Sequence, residues 1–264
     1  MAATAQKPVV IVTGASKGIG LAVTKALLET FKTIVVTFSR SQSPELTALM
    51  RKYPADLLSL QVDVGKEQAV REGIEQTLKT YHRIDGLILN AGVLEPVGPV
   101  GASSTSIAQW RSHFDINFFS LVYTIQAALP ALKESANGGR IVFVSSGAAV
   151  GNVANWGPYN ASKAAMNSLC RTLAQEEPEV VCVALRPGMV DTPMQALLRS
   201  LGPDNMRADD LQRFTSAYEG GKLVKPEDSG HVIASLSLNA PKSLSGQFVP
   251  WDGPECKDFR RVAE

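Results

Sequence analysis

Seven short runs of apolar, often β-branched residues recur along the chain, at 9–12, 33–38, 57–62, 86–90, 140–145, 180–186 and 246–250. Stretches with apolar residues at helical spacing separate them. A run that is apolar at every position suits a strand buried on both faces. Parallel strands cannot be joined by a tight hairpin, so a crossover helix must carry the chain back along the sheet. The alternation therefore predicts an α/β chain with a seven-stranded, mainly parallel sheet and helices on both faces. Right-handed crossovers gather the loops that follow the strands at one end. A ligand belongs there, where strand order reverses. No repeat, low-complexity tract or linker interrupts the pattern, so residues 1–264 read as one domain. The run Ser135-Ala136-Asn137-Gly138-Gly139 reads as a turn.

The first strand run ends in Thr13-Gly14-Ala15-Ser16-Lys17-Gly18-Ile19-Gly20, and apolar residues at helical spacing follow it to Thr30. Strand, glycine turn and helix make the context for binding a pyrophosphate. Glycines let the backbone approach it, and the helix N-terminus offers free N–H groups and a positive dipole end. The spacing is G-x-x-x-G-x-G, which differs from G-x-G-x-x-G. Gly14, Ser16, Lys17, Gly18, Ile19 and Gly20 are the expected cradle. The second strand ends Val36-Thr37-Phe38-Ser39-Arg40, with no acid where one would bind a ribose 2′-hydroxyl. Ser39 and Arg40, with Lys17 nearby, suit a 2′-phosphate instead, and the planar guanidinium fits phosphate well. NADP(H) is therefore the expected cofactor.

Tyr159 and Lys163 stand four residues apart in Tyr159-Asn160-Ala161-Ser162-Lys163. On a helix this puts both side chains on one face, roughly 6 Å apart at Cβ. An ammonium beside a phenol lowers its pKa, which makes the pair a proton donor and acceptor near neutrality. Asn90-Ala91-Gly92 follows the fourth run, Ser145-Ser146 the fifth, and Pro187-Gly188 the sixth.

In this order and spacing, from Val9 to Gly253, the motifs resemble the short-chain dehydrogenase/reductase family in its short, single-domain form. The resemblance implies a doubly wound Rossmann fold and a catalytic set of Asn117, Ser146, Tyr159 and Lys163. Ser146, thirteen positions before Tyr159, has the family's interval, so it is preferred to Ser145. It implies that Ser146 bonds the substrate carbonyl oxygen. Lys163 holds the nicotinamide ribose, and Asn117, within a long helix, fixes a water beside it. Asp63, with the Val64 backbone alongside, would meet adenine, and Asp63 can also cap the next helix. Asn90, Ala91, Gly92, Tyr159, Pro187, Gly188, Val190 and Thr192 complete the cofactor contacts, with hydride delivered from the pro-S face. Four runs, around Asn90, Asn117, Ser146 and Asp191, resemble a narrower branch. Its members are the fungal benzil reductases that form (S)-benzoin, with sepiapterin reductases as more distant relatives.

Residues 192–226 interrupt the alternation with Pro193, Gly202-Pro203 and Gly220-Gly221 between short helical stretches. Placed after the sixth strand, they are expected to form a helical substrate lid. Leu94, Val153, Trp156, Met189 and Met194 are the expected substrate wall, with Glu95, Leu197 and Phe214 as further members. Such a wall suits an aryl ketone or vicinal dicarbonyl. Trp156 reads equally as a core residue.

Composition sets outer bounds. With 45% hydrophobic and 19% charged residues the chain can bury a full core, and a net charge of +1 gives no field for nucleic acid or an anionic membrane. No run reaches the ~18 apolar residues of a membrane span. Residues 1–7 lack the apolar core of a secretory signal. Three cysteines cannot all pair within one chain. Cys170 and Cys182 are expected in the core and Cys256 exposed in the tail, in keeping with a reducing, cytoplasmic setting. No metal is expected. The resemblance implies a homodimer, with a tetramer as the alternative. A protein that keeps the fold as a silent cofactor sensor is the competing class, and the complete catalytic set argues against it.

Overall fold

The computed structural model describes residues 7–102, 105–136, 138–151 and 153–261. Residues 1–6 of the N-terminal stretch and Asn137 of the turn lie outside the described residues. In chain order the elements are β1 (Val9–Thr13), α1 (Gly18–Glu29), β2 (Ile34–Ser39), α2 (Pro44–Lys52), β3 (Leu57–Gln61), α3 (Glu67–Tyr81) and β4 (Gly86–Leu89). There follow α4 (Ile107–Phe114), a π-helical turn (Asp115–Phe119), α5 (Ser120–Lys133), β5 (Arg140–Val144), the single turn α6 (Ala148–Gly151) and α7 (Gly157–Glu176). The chain continues with β6 (Val181–Arg186), α8 (Pro193–Asn205), α9 (Ala208–Glu219), α10 (Pro226–Asn239) and β7 (Phe248–Pro250).

The seven strands form one sheet in the order β3-β2-β1-β4-β5-β6-β7. Every neighbouring pair is parallel, where the sequence predicts a mainly parallel sheet. Strand ends fall within two residues of the expected ones. The order reverses between β1 and β4, which places the crevice for a ligand at their carboxyl ends. This is the doubly wound Rossmann fold.

Alternation of side chains along the strands builds two cores. Val9 and Ile11 of β1 and Ile141 and Phe143 of β5 face one side, packing against α3, α5 and α7. Val10 and Val12, with Val142 and Val144, face the other, against α1, α2 and α10. Helix starts follow local chemistry. Ser43 caps α2 by accepting from Leu46 N–H, and Pro44 fills its first turn. Ser106 and Gln109 form a reciprocal capping box on α4.

Cys256 departs from expectation. It is fully buried in a short 3-10 helix, Pro254–Phe259, against the second core, and burial raises its thiol to about 11. The 3-10 helix packs on β7 and α10, which turns the thiol into that core. Asp63 caps no helix: α3 begins at Glu67 after Lys66, and the Asp63 carboxylate instead accepts from Gly65 N–H at 3.1 Å.

Candidate active site

The glycine turn between β1 and α1 is held by its neighbours. Gly14 N–H donates to the Phe38 carbonyl at 2.8 Å, and the Asn90 side-chain amide donates to the carbonyls of Thr13 (2.9 Å) and Gly14 (3.2 Å). Thr13 Oγ1 in turn accepts from the N–H groups of Asn90 and Ala91, each at 3.0 Å. Gly14 has φ +69°, and a Cβ there would lie 2.9 Å from Ala91 Cα, so only glycine fits. Gly20 stands behind the turn, against Gly14 O and Asn90 Nδ2, and not on the cavity wall. Among the described residues no side chain caps α1, and its first turn holds no acid, so its positive end opens toward the groove. That end suits a pyrophosphate.

The groove runs on along the ends of β2 and β3. Ser39 Oγ is buried there without a hydrogen-bond partner among the described residues, beside the exposed Arg40 and the half-buried Asp63. No carboxylate stands at the end of β2. A buried hydroxyl and an exposed guanidinium side by side fit a phosphate that would bond both.

At the other end of the groove, Tyr159 and Lys163 lie one turn apart near the start of α7, both buried. Lys163 Nζ donates to the Val144 carbonyl at 2.7 Å and lies 5.8 Å from the Tyr159 ring centre. Burial raises the Tyr159 phenol above its ordinary 10.0, and a hydrogen bond from Ser146 only partly opposes this. Burial lowers the Lys163 ammonium to about 8. The spacing predicts a phenol lowered by the ammonium. Here desolvation dominates, and Lys163 turns its charge to a backbone carbonyl. Ser145 and Ser146 separate clearly. Ser145 Oγ donates to Asn167 Oδ1 at 2.6 Å inside the core, whereas Ser146 faces the phenol and accepts from Ala148 N–H at 3.1 Å.

Asn117 lies in the π-helical turn, where a continuous long α-helix is expected from sequence. Such turns put one extra residue into the helix and re-aim the side chains around it. The Asn117 amide pairs with the Val93 backbone, accepting its N–H at 2.8 Å and donating to its carbonyl at 2.9 Å. It does not line the cavity. His113, one turn earlier, meets the same amide at 2.9 Å. His113 belongs to none of the sequence motifs, and its one signal is that a histidine four residues before Asn117 shares its helix face.

The other expected site residues, Glu95 and Leu197 apart, line a single cavity of about 780 Å³: Ser16, Lys17, Gly18, Ile19, Val64, Ala91, Gly92, Pro187, Gly188, Val190 and Thr192 among the cofactor set, and Leu94, Val153, Trp156, Met189 and Met194 among the wall. Thr192 closes on the glycine turn: its Cγ2 lies 3.2 Å from where a Cβ on Gly18 would stand. Leu197 and Glu95 do not line the cavity. Leu198, one step round α8, takes the place of Leu197, and Glu95 contributes its backbone carbonyl to His113. Arg213, Lys222 and Trp251 are lining residues that carry no sequence signal.

Residues 192–226 leave and return beside the site through a bridge between Val190 and Val224. Asn155 Nδ2 bonds the Asn205 carbonyl at 2.7 Å, which ties α8 to the entrance of α7. Trp156 is 5% exposed. It stacks on Phe214 of α9 at 5.5 Å and meets Tyr159 edge to face at 5.7 Å. It is thus both packing and wall, chiefly packing.

Among the described residues no helix is long and apolar enough to cross a membrane, and no three metal-ligating side chains cluster. The short chain dehydrogenase family model matches residues 8–201. An oxidoreductase of Schizosaccharomyces pombe is 43% identical over 95% of this chain and 98% of its own length. The benzil reductase ((S)-benzoin forming) of Saccharomyces cerevisiae is 39% identical over 92% of this chain and 95% of its own. The crystal structure of a short-chain dehydrogenase/reductase from Saccharomyces cerevisiae superposes with a TM-score of 0.91 at 36% identity, covering 96% of this chain and 100% of that one. With a family match across most of the chain and relatives aligned almost end to end, the protein belongs to the short-chain dehydrogenase/reductase family and is an oxidoreductase.

Proposed function

We propose that the protein is an NADP(H)-dependent carbonyl reductase that converts a ketone or α-diketone to the hydroxy compound, with Tyr159 as general acid. The observation that carries the reading is the junction at Tyr159: its phenol faces Ser146 on one side and the apolar Trp156–Phe214 wall on the other, in a cavity continuous with the glycine groove. The glycine turn and the α1 N-terminus would hold the pyrophosphate, Ser39, Arg40 and Lys17 the 2′-phosphate, and Lys163 the nicotinamide ribose. When bound, the cofactor supplies the hydride that the carbonyl carbon receives. Ser146 bonds the carbonyl oxygen as charge develops there. Tyr159, kept protonated by burial, then delivers its proton to that oxygen. The Saccharomyces cerevisiae relative named for benzil supports the diketone class. So does the wall, where an aryl group would bury apolar area against Val153, Met189 and Met194.

Residues 192–226 act as a lid over a single domain of residues 1–264. A homodimer through α4 and α5 would cover the exposed Ile107 and Phe119 beside Trp110 and Phe114. A cytoplasmic setting suits three unpaired cysteines. NADPH and NADH consumption against a panel of ketones, α-diketones, quinones and pterins tests the reading. Cofactor binding without turnover of any carbonyl would leave the silent sensor in its place.

A further inference from the structure

We propose that His113 is a positioning residue of this site: a neutral imidazole whose bare Nε2 holds the Asn117 amide, and whose protonation in acid releases it. The proposal rests on the carbonyl-reductase reading for its kinetics and on geometry alone for the state of the ring. His113 is 1% exposed. Its Nδ1 lies 2.7 Å from the Glu95 carbonyl oxygen, which can only accept, so Nδ1 carries the proton. In the neutral ring Nε2 is then a lone pair. The Asn117 amide is oriented independently by Val93, since Oδ1 must meet the N–H and Nδ2 the carbonyl. The atom turned to His113 is therefore Nδ2, a donor, 2.9 Å from Nε2. Ser162, next to Lys163, lies 3.1 Å from Nε2 and 2.9 Å from the Tyr159 carbonyl, and its one hydroxyl proton can serve either acceptor.

The imidazole thus joins three pieces of the site. These are the loop after β4, through Glu95; the π-helical turn, through Asn117; and the catalytic helix α7, through Ser162 between Tyr159 and Lys163. A second proton would set Nε2–H against the Nδ2–H of Asn117, so the ring would lose the amide and keep only Ser162 Oγ as an acceptor. The titratable and charged groups that face the ring are Lys163 and Tyr159 of α7, while Glu95 meets it through its backbone. Burial, followed by the Lys163 charge against the Glu95 bond, holds the imidazole below its ordinary 6.5. The neutral form is therefore the working form at neutrality, and the charged form arrives only in acid.

Two substitutions separate the ring's contacts. In His113→Gln the amide oxygen reaches the place of Nε2 and still accepts from Asn117, but does not titrate. In His113→Asn the amide nitrogen takes the place of Nδ1 and keeps the Glu95 bond, but nothing accepts from Asn117. With NADPH and 1-phenyl-1,2-propanedione, kcat/KM of the natural enzyme should fall in acid below pH 6.5 with a one-proton limb. His113→Gln should stay within about threefold at pH 7.5 and lose that limb. His113→Asn should lose about tenfold or more in kcat, because small displacements of catalytic groups carry such penalties, with a Tm close to that of His113→Gln. An acid limb surviving in His113→Gln, or full kcat in His113→Asn, overturns the proposal. Nitrogen NMR of the histidine-labelled natural protein reads the ring without turnover and without either variant. It should show Nδ1–H with bare Nε2 at pH 7, and an Nε2–H or doubly protonated ring would equally overturn it. If the enzyme reduces no carbonyl, the functional reading falls while the NMR result still decides the role of His113.

Discussion

Ser39→Ala probes the cofactor preference through one buried atom. Ser39 Oγ lies at the end of β2, in the wall of the groove, with no hydrogen-bond partner among the described residues. A buried hydroxyl without a partner costs about 1–3 kcal/mol, and one that bonds a charged group contributes about 1.5–3 kcal/mol. The alanine variant removes the first from the free protein and the second from the NADPH complex, so its two effects have opposite signs. The free protein should be as stable or more so, by about 2–4 °C in Tm per kcal/mol for a chain near this size. The Kd for NADPH should rise by about ten- to a hundredfold, at about 1.4 kcal/mol per tenfold. The Kd for NADH should stay unchanged, since it brings no phosphate to this position. A thermal melt of the free protein and fluorescence titrations with both cofactors measure all three. A lower Tm, or equal weakening toward NADH and NADPH, would refute the assignment of Ser39 to a 2′-phosphate.

Tyr159→Phe should cut kcat by about 10²–10⁴-fold while NADPH binding, followed by titration, stays near that of the natural protein, because only the proton donor is lost. For carbonyl reduction, kcat/KM should decline on the alkaline side with a pKa near 8. The Lys163 ammonium is lost there while the phenol, raised above 10.0, keeps its proton, and a profile flat to pH 9.5 would contradict this. Asp85→Asn should destabilise the fold by about 3 kcal/mol in urea melts. The Asp85 carboxylate accepts from Val9 N–H, Arg83 and Ser135 at the foot of β1 and β4. Burial pushes that carboxyl up, but Arg83, Ser135 and Val9 together outweigh it and hold it below 3.8. Its contribution is thus complete above the ordinary carboxylate range and is lost as pH falls through the lower folded value. Trp156→Ala should cost about 3–5 kcal/mol of stability and raise KM for an aryl diketone more than for diacetyl. Equal KM effects would mark the ring as packing alone.

The strands and the glycine turn were legible because their signals are local. A fully apolar run of five residues and a glycine with φ +69° leave few alternatives, and Gly14, Gly18 and Gly188 all have positive φ. What the sequence could not supply depends on who meets whom across the fold. Leu197 and Leu198 read alike as apolar lid residues, and only the rotation of α8 turns Leu198 to the cavity. Asn117 is readable as a motif residue, but the extra residue in its turn, and hence its pairing with Val93, is a matter of tertiary fit. Cys256 sits in a charged tail whose polarity suggests exposure. The path of the chain after β7 buries it.

The deepest difference between sequence and structure concerns the sign of a pKa. Helical spacing brings Lys163 beside Tyr159, and attraction alone lowers the phenol. Spacing carries no information about burial, and burial acts on both groups at once, raising the phenol and lowering the ammonium to about 8. Both shifts favour neutral forms. Near pH 7 the phenol therefore keeps its proton and the lysine is still mostly charged. A reductase needs this state, because hydride arriving at the carbonyl carbon leaves an oxygen that must be protonated. The reverse oxidation needs a phenolate to take the alcohol's proton, and burial makes that form scarce. The two directions should therefore separate with pH, the rate of reduction peaking below the Lys163 value and that of alcohol oxidation rising only where the phenol, raised above 10.0, begins to ionise. Profiles of kcat/KM for the diketone and for its hydroxyketone product compare them directly. Coincident optima would show that the proton donor lies elsewhere than Tyr159.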